Sequence, residues 1–242
     1  MRTYILTAAA SLLAASTALA QGIPDTVRLG TEGAYPPYNF INDSGEVDGF
    51  ERELGDELCK RAELTCTWVT NEWDSIIPNL VSGNYDAIMA GMSITAERDE
   101  VIDFTSPYTR PDPSAYLAMS EDVDLTGGVV AAQAGTIQAA HVAESGATML
   151  EFATPEEAVA AVRNGEADAM FLDKSFVLPI AEEDDSLMIV GEDVLLGDGM
   201  ALGIRESDTE LRDAFSAAID EMKADGSLNA LIEKWLPGAA TF

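Results

Sequence analysis

Leu80-Val81-Ser82-Gly83-Asn84-Tyr85-Asp86-Ala87-Ile88-Met89 has a counterpart later in the chain, Val162-Arg163-Asn164-Gly165-Glu166-Ala167-Asp168-Ala169-Met170. Each stretch reads as the end of a helix, a glycine suited to the left-handed cap, a turn, and an Asp-Ala pair entering a buried strand. Two common helix-to-strand connections can look alike by chance. Agreement in residue type and order along the whole segment favours two lobes of one design.

The flanking sequence repeats the same alternation. Upstream, Val27–Gly30 reads as a strand and Gly49–Ala62 as a helix presenting Phe50, Leu54 and Leu58 on one face. Thr65–Val69 reads as a strand, Asp74–Ser82 as a helix with Asp74 as N-cap, and Tyr85–Met89 as a short buried strand. In the later half, strands are predicted over Gly128–Ala132, Met149–Phe152 and Ala167–Leu172. Between them lie a helix at Thr136–Glu144 and another opened by Thr154-Pro155-Glu156-Glu157 and running to Asn164. Strands alternating with helices point to parallel sheets in an α/β fold. Two amphipathic helices follow within Thr209–Leu236, broken at Asp225-Gly226 and ended by Pro237-Gly238.

The chain of 242 residues opens with Met1-Arg2, an apolar run from Tyr4 to about Ala15, and Ala18-Leu19-Ala20 before Gln21. This is the pattern of a secretory signal peptide over residues 1–20, cleaved after Ala20. The apolar run is too short to span a bilayer, so the product is expected free in solution. Cleavage removes one of the 13 basic residues, Arg2, and none of the 43 acidic ones, taking the formal charge from −30 to −31. Such a field repels nucleic acid and anionic membrane and draws cations; solubility in a salty environment explains it as well. The acidic run Glu182-Glu183-Asp184-Asp185 reads as a solvated loop. Cys59 and Cys66, in an exported protein, are candidates for a disulfide closing a small loop. Two thiols and the lone His141, read as exposed, make a poor zinc ligand set, and no metal or cofactor is expected. Met89, Met92 and Met170 read as core.

Ligands of open α/β sheets bind beyond the carboxyl ends of the strands. Past the first strand, Thr31-Glu32-Gly33-Ala34-Tyr35-Pro36-Pro37-Tyr38 is a proline-stiffened loop with aromatic rings. Past Met89 come the small Ala90 and Gly91, then Ser93 and Arg98, both able to donate to a carboxylate. Past the later strand, Gly135-Thr136-Ile137-Gln138 opens a helix whose free N–H groups favour an anion. Asp173 supplies the opposite sign. Cationic donors, a carboxylate and aromatic walls complement a free α-amino acid.

Gly30-Thr31-Glu32-Gly33-Ala34-Tyr35-Pro36-Pro37-Tyr38, Gly49-Phe50-Glu51, Glu57-Leu58-Cys59-Lys60-Arg61, Trp73-Asp74-Ser75-Ile76-Ile77-Pro78, Tyr85-Asp86-Ala87-Ile88-Met89 and Phe104-Thr105-Ser106-Pro107-Tyr108 together carry a resemblance. Over residues 24–237 the chain resembles the solute-binding proteins of polar amino-acid ABC importers, the family with lysine/arginine/ornithine, histidine and octopine binders. The resemblance implies the type II periplasmic-binding-protein (Venus-flytrap) fold: α/β, two lobes and two hinge strands. Lobe one is then 21–110 with 204–242, lobe two 111–203, and the hinges Ser106 to about Ala115 and Gly199–Arg205. It further implies a Cys59–Cys66 disulfide and a carboxylate gripped by Arg98, Ser93 and the backbone near Thr136 and Ile137. Asp173, with the backbone around Gly91, would take the α-ammonium. Tyr35 and Trp73 would sandwich the aliphatic part of the solute. Glu32 matches the position set against a distal cation; a structural hydrogen-bonding role is its alternative. Ala90, Gly91 and Ile137 stand where hydroxyl residues are frequent, which leaves the solute open among arginine, lysine, ornithine, histidine, an opine-like conjugate or a neutral polar amino acid. The implied partners are that solute and the permease subunits of an importer, with the chain monomeric and periplasmic.

Two other function classes share this scaffold. An enzyme of the cyclohexadienyl-dehydratase kind needs a general acid or base at the reacting centre, whereas the carboxylates here already have implied cationic partners. A receptor sensor domain needs a membrane-spanning helix, which the sequence given does not contain.

Overall fold

A computed structural model describes residues 22–242; the expected signal peptide and its cleavage point lie outside the described residues. The chain runs β1 (Val27–Thr31), β2 (Ala34–Tyr35), β3 (Asn39–Ile41), β4 (Val47–Asp48), α1 (Phe50–Arg61), β5 (Cys66–Thr70), a 3₁₀ turn at Trp73–Ser75, α2 (Ile76–Val81) and β6 (Ala87–Ile88). It continues through α3 (Ala96–Asp99), β7 (Asp103–Phe104), β8 (Ser114–Ala118), β9 (Val129–Gln133), α4 (Ile137–Ser145), β10 (Thr148–Phe152), α5 (Pro155–Arg163) and β11 (Ala169–Asp173). The last elements are α6 (Lys174–Glu183), β12 (Met188–Val194), β13 (Gly203–Ile204), α7 (Thr209–Asp225) and α8 (Ser227–Trp235).

Two five-stranded sheets result, ordered β5-β1-β6-β13-β7 and β10-β9-β11-β8-β12, with β2-β3-β4 as a small third sheet. The two large sheets have the same plan. Their first three strands are parallel, and the fourth, which arrives from the crossing between lobes, runs antiparallel. The expected all-parallel sheets are therefore mixed, because a strand entering from the other lobe must run the opposite way. At the crossing the two connections lie side by side, with Tyr108 N–H donating to Met200 O and Met200 N–H to Thr109 Oγ1. Backbone bonding to the first lobe begins by Met200, and of Gly199–Arg205 the residues Gly203 and Ile204 pair in that sheet as β13.

Local chemistry accounts for the elements. The α1 face of Phe50, Leu54 and Leu58 is fully buried, each side chain contributing about 1.5–3 kcal/mol by burial. The Cys59–Cys66 disulfide ties the end of α1 to the start of β5. Thr154 and Glu157 form the expected capping box on α5, and Gly226 takes the left-handed conformation between α7 and α8. α7 and α8 pack against α1, placing them on the first lobe.

Several expectations are corrected. Asp74 does not cap a helix; it lies inside the 3₁₀ turn, and α2 starts after Ser75. Glu182 and Glu183 are the exposed last turn of α6 rather than loop. His141 is half-buried with its ring 5.1 Å from that of Phe171, because α4 lies on the sheet through this turn. β8, α6 and β12 were not anticipated: β8 is buried at every position, which leaves no alternation to read. Met89, Met92 and Met170 are core. Among the described residues no helix is long and apolar enough to cross a membrane.

Candidate functional site

The carboxyl ends of β1 and β6 face those of β9 and β11 across a cleft, and the loops beyond them line a small cavity. All nine residues expected at a ligand, Glu32, Tyr35, Trp73, Gly91, Ser93, Arg98, Thr136, Ile137 and Asp173, line this one cavity. Ala90, Gln133, Gln138 and Leu172 complete its walls.

Arg98 is placed by α3, whose N-cap Thr95 accepts from the Arg98 N–H. Its guanidinium donates to Ser93 O at 2.9 Å and lies 5.3 Å from the centre of the Trp73 ring, a cation–π distance. Burial lowers the Arg98 pKa to about 10, with Asp173 and Glu97 opposing, so the side chain stays charged at neutral pH. Trp73 is held in turn by its indole N–H, which donates to Gly135 O in the other lobe at 3.2 Å.

Asp173 ends β11 and is buried. Tyr35 donates its hydroxyl to one carboxylate oxygen at 2.6 Å and Gln138 its amide to the other at 2.7 Å. Burial raises the Asp173 pKa to about 7; Asp112 adds to this, while Tyr35, Arg98 and Gln138 pull it down. Glu32 is likewise raised to about 7 by burial, with the Gln133 hydrogen bond lowering it and Glu51 raising it. Each carboxylate gains most from a cation brought into the cleft.

Gly91 needs φ of +63°, and a Cβ there would meet the Tyr35 ring at 3.0 Å; glycine is what lets backbone and ring approach so closely. Its N–H is turned away from the cleft and donates to Glu51 Oε1 at 2.7 Å, so only its carbonyl remains for a solute. The buried Glu51 also accepts from Tyr108 and from Asn39, whose Oδ1 takes the Gly33 N–H. Burial raises the Glu51 pKa. This network holds the Glu32 loop, the Gly91 loop and the crossing strand together.

Tyr35 does more than line the cavity. Its ring stacks on Phe176 and Tyr38 with centroids 5.0 and 5.5 Å away, making it a bridge between lobes as well as a lining residue. Thr136 uses its hydroxyl to cap α4, accepting from Ala139 N–H and donating to Gln133 O. Its contribution to the cleft is therefore through backbone, together with the first-turn N–H groups of α4, which lack intrahelical acceptors. Gln133 and Gln138 were missed by the sequence reading. A signal existed for both: Gln133 ends the strand equivalent to β1, and Gln138 lies one helical turn from Gly135.

The family described as bacterial extracellular solute-binding proteins, family 3, matches residues 27–238. The histidine-binding periplasmic protein of Escherichia coli strain K12 is 33% identical, over 91% of both chains. The lysine/arginine/ornithine-binding periplasmic protein of the same strain is 30% identical over 88% of both. Among solved structures, a periplasmic His/Glu/Gln/Arg/opine family-binding protein from Silicibacter pomeroyi in complex with lysine is 67% identical. It superposes with a TM-score of 0.88, covering 89% of this chain and all of its own.

Proposed function

The chain belongs to the bacterial extracellular solute-binding proteins, family 3, and from that premise we propose that it captures a free cationic amino acid, lysine or arginine foremost, and delivers it to an ABC importer. The observation that carries this reading is one cavity between the lobes lined by a single guanidinium, Arg98, and two carboxylates, Glu32 and Asp173. Arg98, with Ser93 and the start of α4 at Thr136 and Ile137, takes the α-carboxylate. Asp173 and the Gly91 carbonyl take the α-ammonium, Trp73 and Tyr35 flank the aliphatic stem, and Glu32 takes the distal cation. The 67%-identical relative solved with lysine supports the choice of solute. Arg98 and Asp173 stand on different lobes, so a bound solute favours the closed state by its differential contacts with it.

The relatives named above are periplasmic proteins, and the setting proposed with this function is a monomer in the periplasm, its leader removed after Ala20, with the permease subunits of the importer as partners. The lobes follow the division 21–110 with 204–242 and 111–203. The chain is read as a carrier rather than a catalyst, since Asp173 and Glu32 each hold protein donors in fixed places.

A thermal-shift panel tests the reading. Lysine or arginine at one hundred times its dissociation constant adds about 2.7 kcal/mol of stability, and a clear rise in Tm is expected for these but not for glutamate. No shift with any amino acid would contradict the reading. Glu32→Gln should shrink the preference for lysine over glutamine; an unchanged preference would remove Glu32 from the distal site.

A further inference from the structure

Resting on that reading, we propose that Gln133 is a specificity-determining residue: with Glu32 it forms a pair of acceptors that selects a donor-rich cation, ammonium or guanidinium, over an amide or an apolar tail. Gln133 is the last residue of β9 and is 2% exposed. Its Nε2 donates to Glu32 Oε1 at 2.5 Å and to Ala153 O at 3.1 Å. A peptide carbonyl and an ionised carboxylate have no hydrogen to give. The nitrogen end of the amide must therefore face these two oxygens, and a flip would set oxygen against oxygen. Ala153 is itself fixed, because it follows β10, which pairs in register with β9 through Phe152 and Gln133, and because its N–H donates to Glu157.

The carbonyl end of the amide then points the other way. Among the described residues, no donor reaches Gln133 Oε1 or Glu32 Oε2, and neither atom is sealed off, since the buried side-chain polar atom without a partner is Thr31 Oγ1. Both residues line the cavity. The far end of the cleft thus offers two acceptors and no donor. An ammonium brings three N–H groups and a guanidinium five. An amide would set its own carbonyl against these oxygens, and an apolar tail would strand both, the kind of mismatch that discriminates strongly. The bond from Gln133 also opposes the effect of burial on Glu32, favouring its ionised form.

A simpler role is available: Gln133 as a strut between lobes, in which case its loss would weaken every solute alike. Calorimetric titration with L-lysine and L-norleucine separates the two, since norleucine keeps the main-chain groups and the carbon chain but has no distal nitrogen. Gln133→Met is expected to narrow the preference for lysine over norleucine by about tenfold or more, mainly through weaker lysine binding. Gln133→Asn, too short to reach both Glu32 and Ala153, is expected to do the same, and thermal melts establish that both variants are folded. Equal weakening of both ligands, or an unchanged preference in folded variants that bind lysine, would overturn the assignment. A wild-type protein that binds no free amino acid would instead fail the reading beneath it, and the inference with it.

Discussion

The two lobes share a backbone plan down to a single turn and differ in what they place at its ends. In the first, Asp86 donates its N–H to Arg28 O at 2.8 Å and accepts the Arg28 N–H at 2.9 Å. In the second, Asp168 donates to Val129 O at 2.8 Å and accepts from Val129 at 2.7 Å. The same aspartate locks the helix-to-strand turn onto the neighbouring strand in both. Yet Asp86 is buried and bonded by the guanidinium groups of Arg28 and Arg205, whereas Asp168 is exposed. Burial alone would push the Asp86 pKa up; the Arg28 and Arg205 bonds overcome it and hold the group below the usual carboxylate range. At the cleft the lobes diverge in chemistry: Glu32 and Arg98 line one side, Gln133 and Asp173 the other. Repetition supplies the frame, and departure from repetition supplies the site.

The largest effect is expected where the lobes are most unlike. Arg98→Ala removes the one guanidinium in the cavity lining and should weaken lysine binding by at least about a hundredfold, in keeping with the 2–5 kcal/mol lost when one partner of a buried charge pair is truncated. Retained affinity would show that the first lobe does not hold the carboxylate. Next comes stability. Asp86→Asn leaves the partly exposed Arg28 and Arg205 facing a neutral group and should cost about 1.5–3 kcal/mol, while Asp168→Asn, at an exposed turn, should cost about 1 kcal/mol or less. Denaturant titration of both variants checks this; equal losses would mean the two turns are equivalent after all.

The smallest effect is on the balance between open and closed forms. Asp173 and Glu32, one carboxyl from each lobe, are raised by burial to about 7 from ordinary values of 3.8 and 4.5. The closed form therefore binds protons more tightly than an open form in which water reaches both groups. Acid favours closure between these values, and the effect is lost as pH rises through 7. Ligand-free protein should become more compact by small-angle scattering between about pH 7.5 and pH 5, and the Glu32→Gln, Asp173→Asn double variant should not. A radius independent of pH in the wild type would contradict this.

Much of the fold was legible because the informative segments are periodic or punctuated. Gly226 stops a helix, Thr154 and Glu157 start one, and Leu54 and Leu58 mark a buried face. β8 was invisible because a strand covered on both faces carries no alternation, and its role as the crossing strand depends on a partner distant in sequence. At the site, residues of distinctive charge such as Arg98, Asp173 and Glu32 could be nominated from position alone. Gln133 and Gln138 held positions just as telling, at a strand end and in the first turn of a helix, but a neutral amide declares its role only when the atoms it bonds are known. Glu51 likewise read as part of a motif, and only the packed structure reveals it beneath both ligand loops.

The central claim is that one cationic amino acid joins the two lobes through Arg98 and Asp173. Titration of the purified protein with L-lysine by calorimetry at pH 7.5 tests it most directly. The account predicts a single saturable site per chain with a dissociation constant of roughly micromolar or tighter. No saturable heat up to millimolar lysine, with arginine equally silent, would contradict it.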